Sequence, residues 1–344
     1  MELTPRKQAV LKAIVKTYIE TGEPVGSKIL TQLLDNAPSS ATLRNEMSEL
    51  CELGFLAQPH TSAGRVPTSY GYKFYVDSLM HKDQIPQKTA QFIDEQLAEI
   101  NCEPEGIPAQ VGKIISSLTG LPAIACLVTD TPPKVKRIEL LPIGKNSLML
   151  LVITNDGRTR NRVFRLLKPF FKDAQDCFHN ICENRIKGKT VDMLNKGYMQ
   201  TVIAESGAYA LELMPIFTAV FETAAEIEEK AVTLSGENAL YNISGNEESA
   251  KRILSLINRR DPIISVLEGI ENSAGAVFGV DTGYSELVKD TIIAAKFGVA
   301  DKYKGYLGII GPTRISYDKI MPVVEYAAEK LTKIMTEAQK DMED

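Results

Sequence analysis

The amino-acid sequence predicts an α+β multidomain protein: an N-terminal winged helix-turn-helix, then an α+β domain interrupted by a mostly helical insert. Three observations predict it. From Ser39 to Tyr75 the chain reads as a short helix, a hairpin and a second helix, and Gly54 to Val76 holds no acidic residue while His60, Arg65 and Lys73 are present. Further on, the order of apolar periods runs helices, strands, helices, strands, helix. The 344 residues, 44% hydrophobic and 24% charged, suffice for two or three folded domains.

Thr4-Pro5 is a cap followed by proline at the first helical position. Val10, Leu11, Ile14, Val15, Tyr18 and Ile19 then form one stripe, and Gly22 ends the helix. Pro24–Ser27 is a turn, with Ser27 placed to cap a short second helix that buries Ile29, Leu30, Leu33 and Leu34. Ser39 caps a third helix. Its inner face is Leu43, Met47 and Leu50; its outer face is Ala41, Arg44, Asn45 and Ser48. Phe55–Ala57 and Arg65-Val66 read as short strands around Ser62-Ala63-Gly64, and Pro67-Thr68 opens another helix.

His81–Thr89 reads as a linker, followed by helices at Ala90–Ile100 and Ala109–Thr119. Strands are predicted at Ala123–Thr129 and Ile138–Leu141, and a hairpin at Ser147–Thr154 and Arg160–Leu167 around Asn155-Asp156-Gly157. A helical block spans Asp173–Lys230, its last helix starting near Pro215. A strand pair is read near Val232–Leu234 and Leu240–Ile243. Helices at Glu247–Ile257 and Pro262–Leu267 precede strands at Gly275–Val280, Thr291–Phe297 and Tyr306–Gly311. An amphipathic helix, Tyr317–Met335, closes the pattern.

A net charge of −5 leaves no global basic field, and residues 1–80 balance eight Lys and Arg with eight Asp and Glu. Nucleic acid must therefore be held by a local face, with strong salt dependence. Five scattered cysteines point to a reducing, cytoplasmic compartment. No apolar run is long enough for a membrane span. Cys177 and Cys182 around His179 lack the further ligands a metal needs, and the glycines of Gly305–Gly311 lack a phosphate-loop lysine. No nucleophile is paired with a base, so neither catalysis nor a cofactor is expected.

Arg44 and Asn45 lie in the first half of the third helix, where side chains meet base edges; Arg suits guanine and Asn suits adenine. Thr42 and Ser48 flank them. In the wing, His60, Thr61, Ser62, Gly64 and Arg65 are candidates for backbone or minor-groove contact, with Gly64 allowing positive φ or close approach to phosphate. Ser27 and Lys28 open the second helix, whose N-terminus suits a phosphate. Further along, Glu49 and Glu52 would be repelled by DNA, so that end of the third helix should tilt outward. Ile216, Phe217, Val220, Phe221, Ala224 and Ile227 share one helical face. That face suits either a dimer surface or internal core packing.

Gly22–Ser27, Ser39–Met47 and Gln58–Thr68 closely resemble motifs of the heat-inducible transcription repressor HrcA family, and Gly311-Pro312-Thr313-Arg314 with Tyr317 resembles its C-terminal signature. Val277–Asp281 departs from the family's Ile-Gly-x-Glu pattern but keeps an acidic residue. The resemblance implies a homodimeric repressor of chaperone operons that binds an inverted-repeat operator in double-stranded DNA. It also implies that the GroEL chaperonin maintains its activity. The implied domains are a winged helix at 1–82, a GAF-like domain at 83–168 and 247–344, and a dimerising insert at 169–246. The rival reading is a small-molecule sensor that uses the GAF-like domain.

Overall fold

The computed structural model describes residues 3–34, 38–61, 63–100, 104–128, 132–167, 170–227, 230–244, 247–299 and 303–341. Its N-terminal unit is built from α1 (Pro5–Thr21), α2 (Ser27–Leu33), α3 (Ser40–Glu52), the two-stranded hairpin β1 (Leu56–Ala57) and β2 (Val66–Pro67), and α4 (Ser69–Phe74). The caps explain the boundaries. Thr4 and Ser39 accept from Lys7 and Thr42 N–H, and Gly22 ends α1 in the left-handed region at φ 74°. Ser27 does not cap α2 as predicted. Gly26 holds that position, and Ser27 is the first helical residue, its hydroxyl turned inward. Val10, Leu11, Ile14, Leu30, Leu43 and Leu50 are fully buried.

Beyond α4, a wider helical turn at Tyr75–Leu79, α5 (Gln87–Ala98) and α6 (Ile107–Thr119) lead to β3 (Ala123–Val128). Next come β4 (Val135–Pro142), β5 (Ser147–Thr154), β6 (Thr159–Arg165), α7 (Lys172–Ile181), α8 (Lys196–Glu205) and α9 (Ala210–Ala225). The chain continues through β7 (Lys230–Ser235), α10 (Glu237–Ser244), α11 (Glu247–Asn258), α12 (Asp261–Glu268), β8 (Ala274–Phe278), β9 (Asp290–Val299), β10 (Tyr303–Pro312) and α13 (Tyr317–Asp341). Two of these differ from the sequence expectation. Residues 237–244 form a helix rather than a second strand, because Gly236 at φ 73° turns the chain out of the sheet. The last helix of the block starts earlier than predicted: α9 begins at Ala210, which leaves Pro215 inside it, more than one turn from its N-terminus.

An antiparallel five-stranded sheet in the order β7-β3-β10-β9-β8 forms the centre. Alternate residues point to opposite faces, and both faces are apolar. Ala123, Ala125, Leu307, Ile309, Ile293 and Ala295 pack toward α6, α13 and the N-terminal unit. Ile124, Cys126, Ile310, Ile292 and Ala294 pack toward α10–α12. This double burial is why the strands read as almost unbroken apolar runs. Asp290, at the start of β9, is also buried, and desolvation pushes its carboxyl up to about 6 against the opposing pull of Lys289.

β3 and β7 are neighbours, and Val128 pairs with Lys230. The chain between them therefore leaves and re-enters the sheet at one point. Within it, β4-β5-β6 form a separate antiparallel sheet packed on α7–α9 around its own core. This division differs from the expected 169–246 insert. The hairpin 147–167 packs with α7–α9, and β7 belongs to the five-stranded sheet. Strand periodicity does not say which sheet a strand joins; the shared core does.

Candidate nucleic-acid interface

An open groove of about 780 Å³ runs between α2, α3 and the β1–β2 hairpin. Its walls bring together Ser27, Lys28, Arg44, Asn45, Ser48, Thr61, Gly64 and Arg65. These eight predicted residues come from three separate segments. Lys28, Arg44 and Arg65 supply positive charge, and among the described residues no carboxylate lines the groove.

Several contacts hold this arrangement. Val25 and Arg65 exchange two backbone hydrogen bonds of 2.9 Å, which tie the hairpin to the segment between α1 and α2. Gly64 is required there. A Cβ on it would lie 2.5 Å from the backbone carbon and oxygen of Val25. Its φ is not positive, so the need is close approach to protein backbone rather than an unusual turn. Ser27 Oγ lies 2.8 Å from Ser40 Oγ and accepts from Arg44 Nε at 3.3 Å. Arg44 is thus held at its stem, while its terminal nitrogens have no partner among the described residues.

Arg65 Nη1 reaches the Ala63 carbonyl at 3.4 Å, and its buried Nε has no hydrogen-bond partner among the described residues. Gln58, which the sequence reading passed over, donates to the carbonyls of Thr61 and Ala63 at 2.9 and 3.3 Å and braces the tip of the hairpin. Its signal was a polar amide at the end of a strand, opening the Gln58–Thr68 motif.

Two predicted residues lie outside the groove. Thr42 pairs its hydroxyl with Ser39 at 3.0 Å, completing the α3 cap, and exposed His60 contributes only its carbonyl, to Ala63 N–H. Ser62 falls outside the described residues. Two acidic residues of α3 face away: Lys7 on α1 bridges Glu46 at 3.1 Å and Glu49 at 2.8 Å, while Glu52, its last residue, does not line the groove. Hydrogen bonding to Glu49 and Glu46 raises the Lys7 pKa.

The predicted dimer face has been consumed within the chain. Ile216, Phe217, Val220 and Ala224 are fully buried, and Phe221 and Ile227 nearly so, in the core of β4–β6 and α7–α9. The helical spacing marked burial, and the partner is the chain's own sheet. Exposed apolar side chains lie elsewhere on this unit. Leu167 (100% exposed), Phe171 (65%), Leu211 (85%) and Met214 (43%) are among them. The first three line an open groove of about 540 Å³ with Arg165 and Glu212.

Cys182 is buried in the same core and Cys177 packs against it; burial raises both thiols. No cluster of three or more potential metal ligands occurs among the described residues. No described helix is long and apolar enough to cross a membrane.

Residues 105–321 match the family described as HrcA protein C terminal domain. A protein named heat-inducible transcription repressor HrcA from Acetivibrio thermocellus is 30% identical over 336 residues, covering 96% of both chains. One of the same name from Acholeplasma laidlawii is 31% identical over 347 residues, covering 98% of this chain and 99% of its own. A crystal structure of a hypothetical protein has the same mixed helix-and-sheet fold. It aligns with a TM-score of 0.67 at 21% identity over 98% of this chain and all of its own.

Proposed function

The chain belongs to the HrcA family, and on that premise we propose that it is a heat-inducible transcription repressor that grips double-stranded DNA with the groove between α2, α3 and the hairpin. One observation carries the reading: three separate segments gather three cations and, among the described residues, no carboxylate into this groove, on a chain whose net charge is −5. Local positive charge of that kind attracts phosphate where the whole molecule does not.

The N-terminal unit is then a winged helix-turn-helix with β1–β2 as its wing. Arg44 and Asn45 reach base edges from the exposed face of α3, with Ser48 beside them. Ser27 positions Arg44, and Lys28 and Arg65 meet phosphates. The five-stranded sheet with its helices is the GAF-like domain, and residues 129–229 form the dimerising insert. The protein has no catalytic role.

A homodimer matches this reading, since two reading units related by a two-fold axis fit an inverted repeat and raise each other's effective concentration. The dimer face is Leu167, Phe171, Leu211 and Met214, because apolar surface of that exposure favours burial. Arg165 and Glu212 border the same patch and offer both signs of charge to a second copy. The GroEL chaperonin restores the competent dimer in the cytoplasm, and unfolded clients withdraw it under stress.

The small-molecule sensor remains the second reading, favoured by a cavity of about 610 Å³ between α4 and β8 lined by Lys73, Asp77, Asp281 and Tyr284. Selection of duplexes from a random-sequence library by the full chain, with and without chaperonin, tests the proposal. Recovery of an inverted repeat whose retention rises with chaperonin is expected. A chain that enriches no sequence, or whose affinity responds to a metabolite and not to chaperonin, overturns it.

A further inference from the structure

The sheet domain touches the reading unit through a side chain to which nothing above gives a role. Arg314 stands on the short connection between β10, the central strand, and α13. Its Nη1 donates to the Ile19 carbonyl at 3.1 Å, at the C-terminal end of α1. Its guanidinium lies across Gly22, and a Cβ on that glycine would be 3.1 Å from Nη1 and 3.3 Å from Cζ. The last turn of α1 holds no basic residue, so Arg314 supplies the positive charge that the carbonyl end of a helix favours.

The connection that carries Arg314 is itself held firmly. Thr313 N–H and hydroxyl both donate to the Lys289 carbonyl at 3.1 Å, and the Tyr317 hydroxyl donates to the Thr313 carbonyl at 2.6 Å. Buried Tyr317 packs against Tyr72 of α4 and Phe278 of β8, with ring centroids 6.1 and 5.9 Å away. From Gly22 the chain runs three residues to Val25, which is paired with Arg65 of the hairpin. Two residues later comes Ser27, which holds Arg44. One short segment therefore links Arg314 to both parts of the reading groove.

We propose that Arg314 is a positioning residue that fixes the pose of the reading unit on the sheet domain, and so sets the half-site spacing that a dimer accepts. This rests on the repressor reading above. Arg314 does not line the groove, so its loss should leave one reading unit's grip on DNA intact. It should loosen the unit, which the Tyr72–Tyr317 packing and the 2.8 Å Lys73–Asp281 ion pair still hold to the sheet domain, and a loosened pair tolerates spacings that a tightly held pair rejects.

The probes are the inverted-repeat duplex recovered by selection, its single half-site, and versions with the centre lengthened by one to five base pairs. Wild type should lose about tenfold or more in affinity as the spacer departs from its optimum. Arg314→Ala should bind the half-site within about twofold of wild type, while its spread across spacers shrinks to about threefold. Arg314→Lys, which keeps a cation at the helix end, should recover much of the spacer preference. A wild-type spacer profile in Arg314→Ala overturns the proposal. So does an equal loss on the half-site and the full repeat, which would place Arg314 in the grip itself. Failure of the wild-type chain to bind any half-site would instead defeat the repressor reading from which the proposal starts.

Discussion

Arg65→Ala removes one of the two groove cations left to meet phosphate once Arg44 reads a base. In a dimer, Lys28 and Arg65 together engage four phosphates. Counterion release at about 0.9 per phosphate gives a slope near −3.6 for log affinity against log salt. Affinity for the selected repeat should then fall about 150-fold between 50 and 200 mM salt. The variant keeps two phosphate contacts, so its slope should be near −1.8 and its loss about 12-fold. The fold should tolerate the change: among the described residues the Arg65 side chain makes only a 3.4 Å contact to Ala63, and its pairing with Val25 is through backbone. Fluorescence anisotropy across a salt series, beside a thermal melt, measures both. A variant with the wild-type slope would refute the assignment of Arg65 to phosphate. An unchanged slope in Lys28→Ala as well would remove the groove from the DNA contact altogether.

Arg44→Ala should weaken binding by about 1–3 kcal/mol and relax the preference at one base position, read by competition among duplexes; unaltered specificity would exclude it from base contact. Leu211→Asp places a charge on a side chain that is 85% exposed. Its circular-dichroism spectrum should stay that of the folded chain while sedimentation shifts toward monomer; an undiminished dimer would locate the interface elsewhere. Asp290 titrates at about 6 in the folded chain against an ordinary 3.8, so the native state binds the extra proton between those values. Its contribution favours folding below pH 3.8 and is lost as pH rises through 6, by up to about 3 kcal/mol. Asp290→Asn should flatten that part of the stability profile and raise the melting temperature at pH 7. A wild-type profile in the variant would show that the carboxyl is solvated.

The local elements were legible because their causes are local. Thr4, Ser39 and Gly22 mark helix ends by hydrogen-bonding and backbone rules that act within a turn or two. The strands read at Ala123–Thr129 and Thr291–Phe297 showed in their apolar runs and correspond to β3 and β9. The elements that misled were those whose state depends on distant partners. Residues 237–244 carry an apolar pattern short enough to suit strand or helix, and the turn at Gly236 settles it. Asp156 reads as part of a turn, yet it is buried with Arg158 as an ion pair at 3.1 Å. The six-residue stripe Ile216–Ile227 announced burial correctly but not against what.

By itself, the sequence determined which residue types were available to meet DNA: Lys28, Arg44, Asn45 and Arg65, the last in a stretch free of acid. It also determined the caps and stripes of most helices. Those follow from residue chemistry and short-range geometry. Only the tertiary structure decided that Lys28, Arg44 and Arg65 share one groove, that Glu46 and Glu49 turn away onto Lys7, and that Arg314 reaches the end of α1 from 295 positions away. Such contacts depend on how whole faces pack, and a packing partner so remote in the chain leaves no period in the sequence to read.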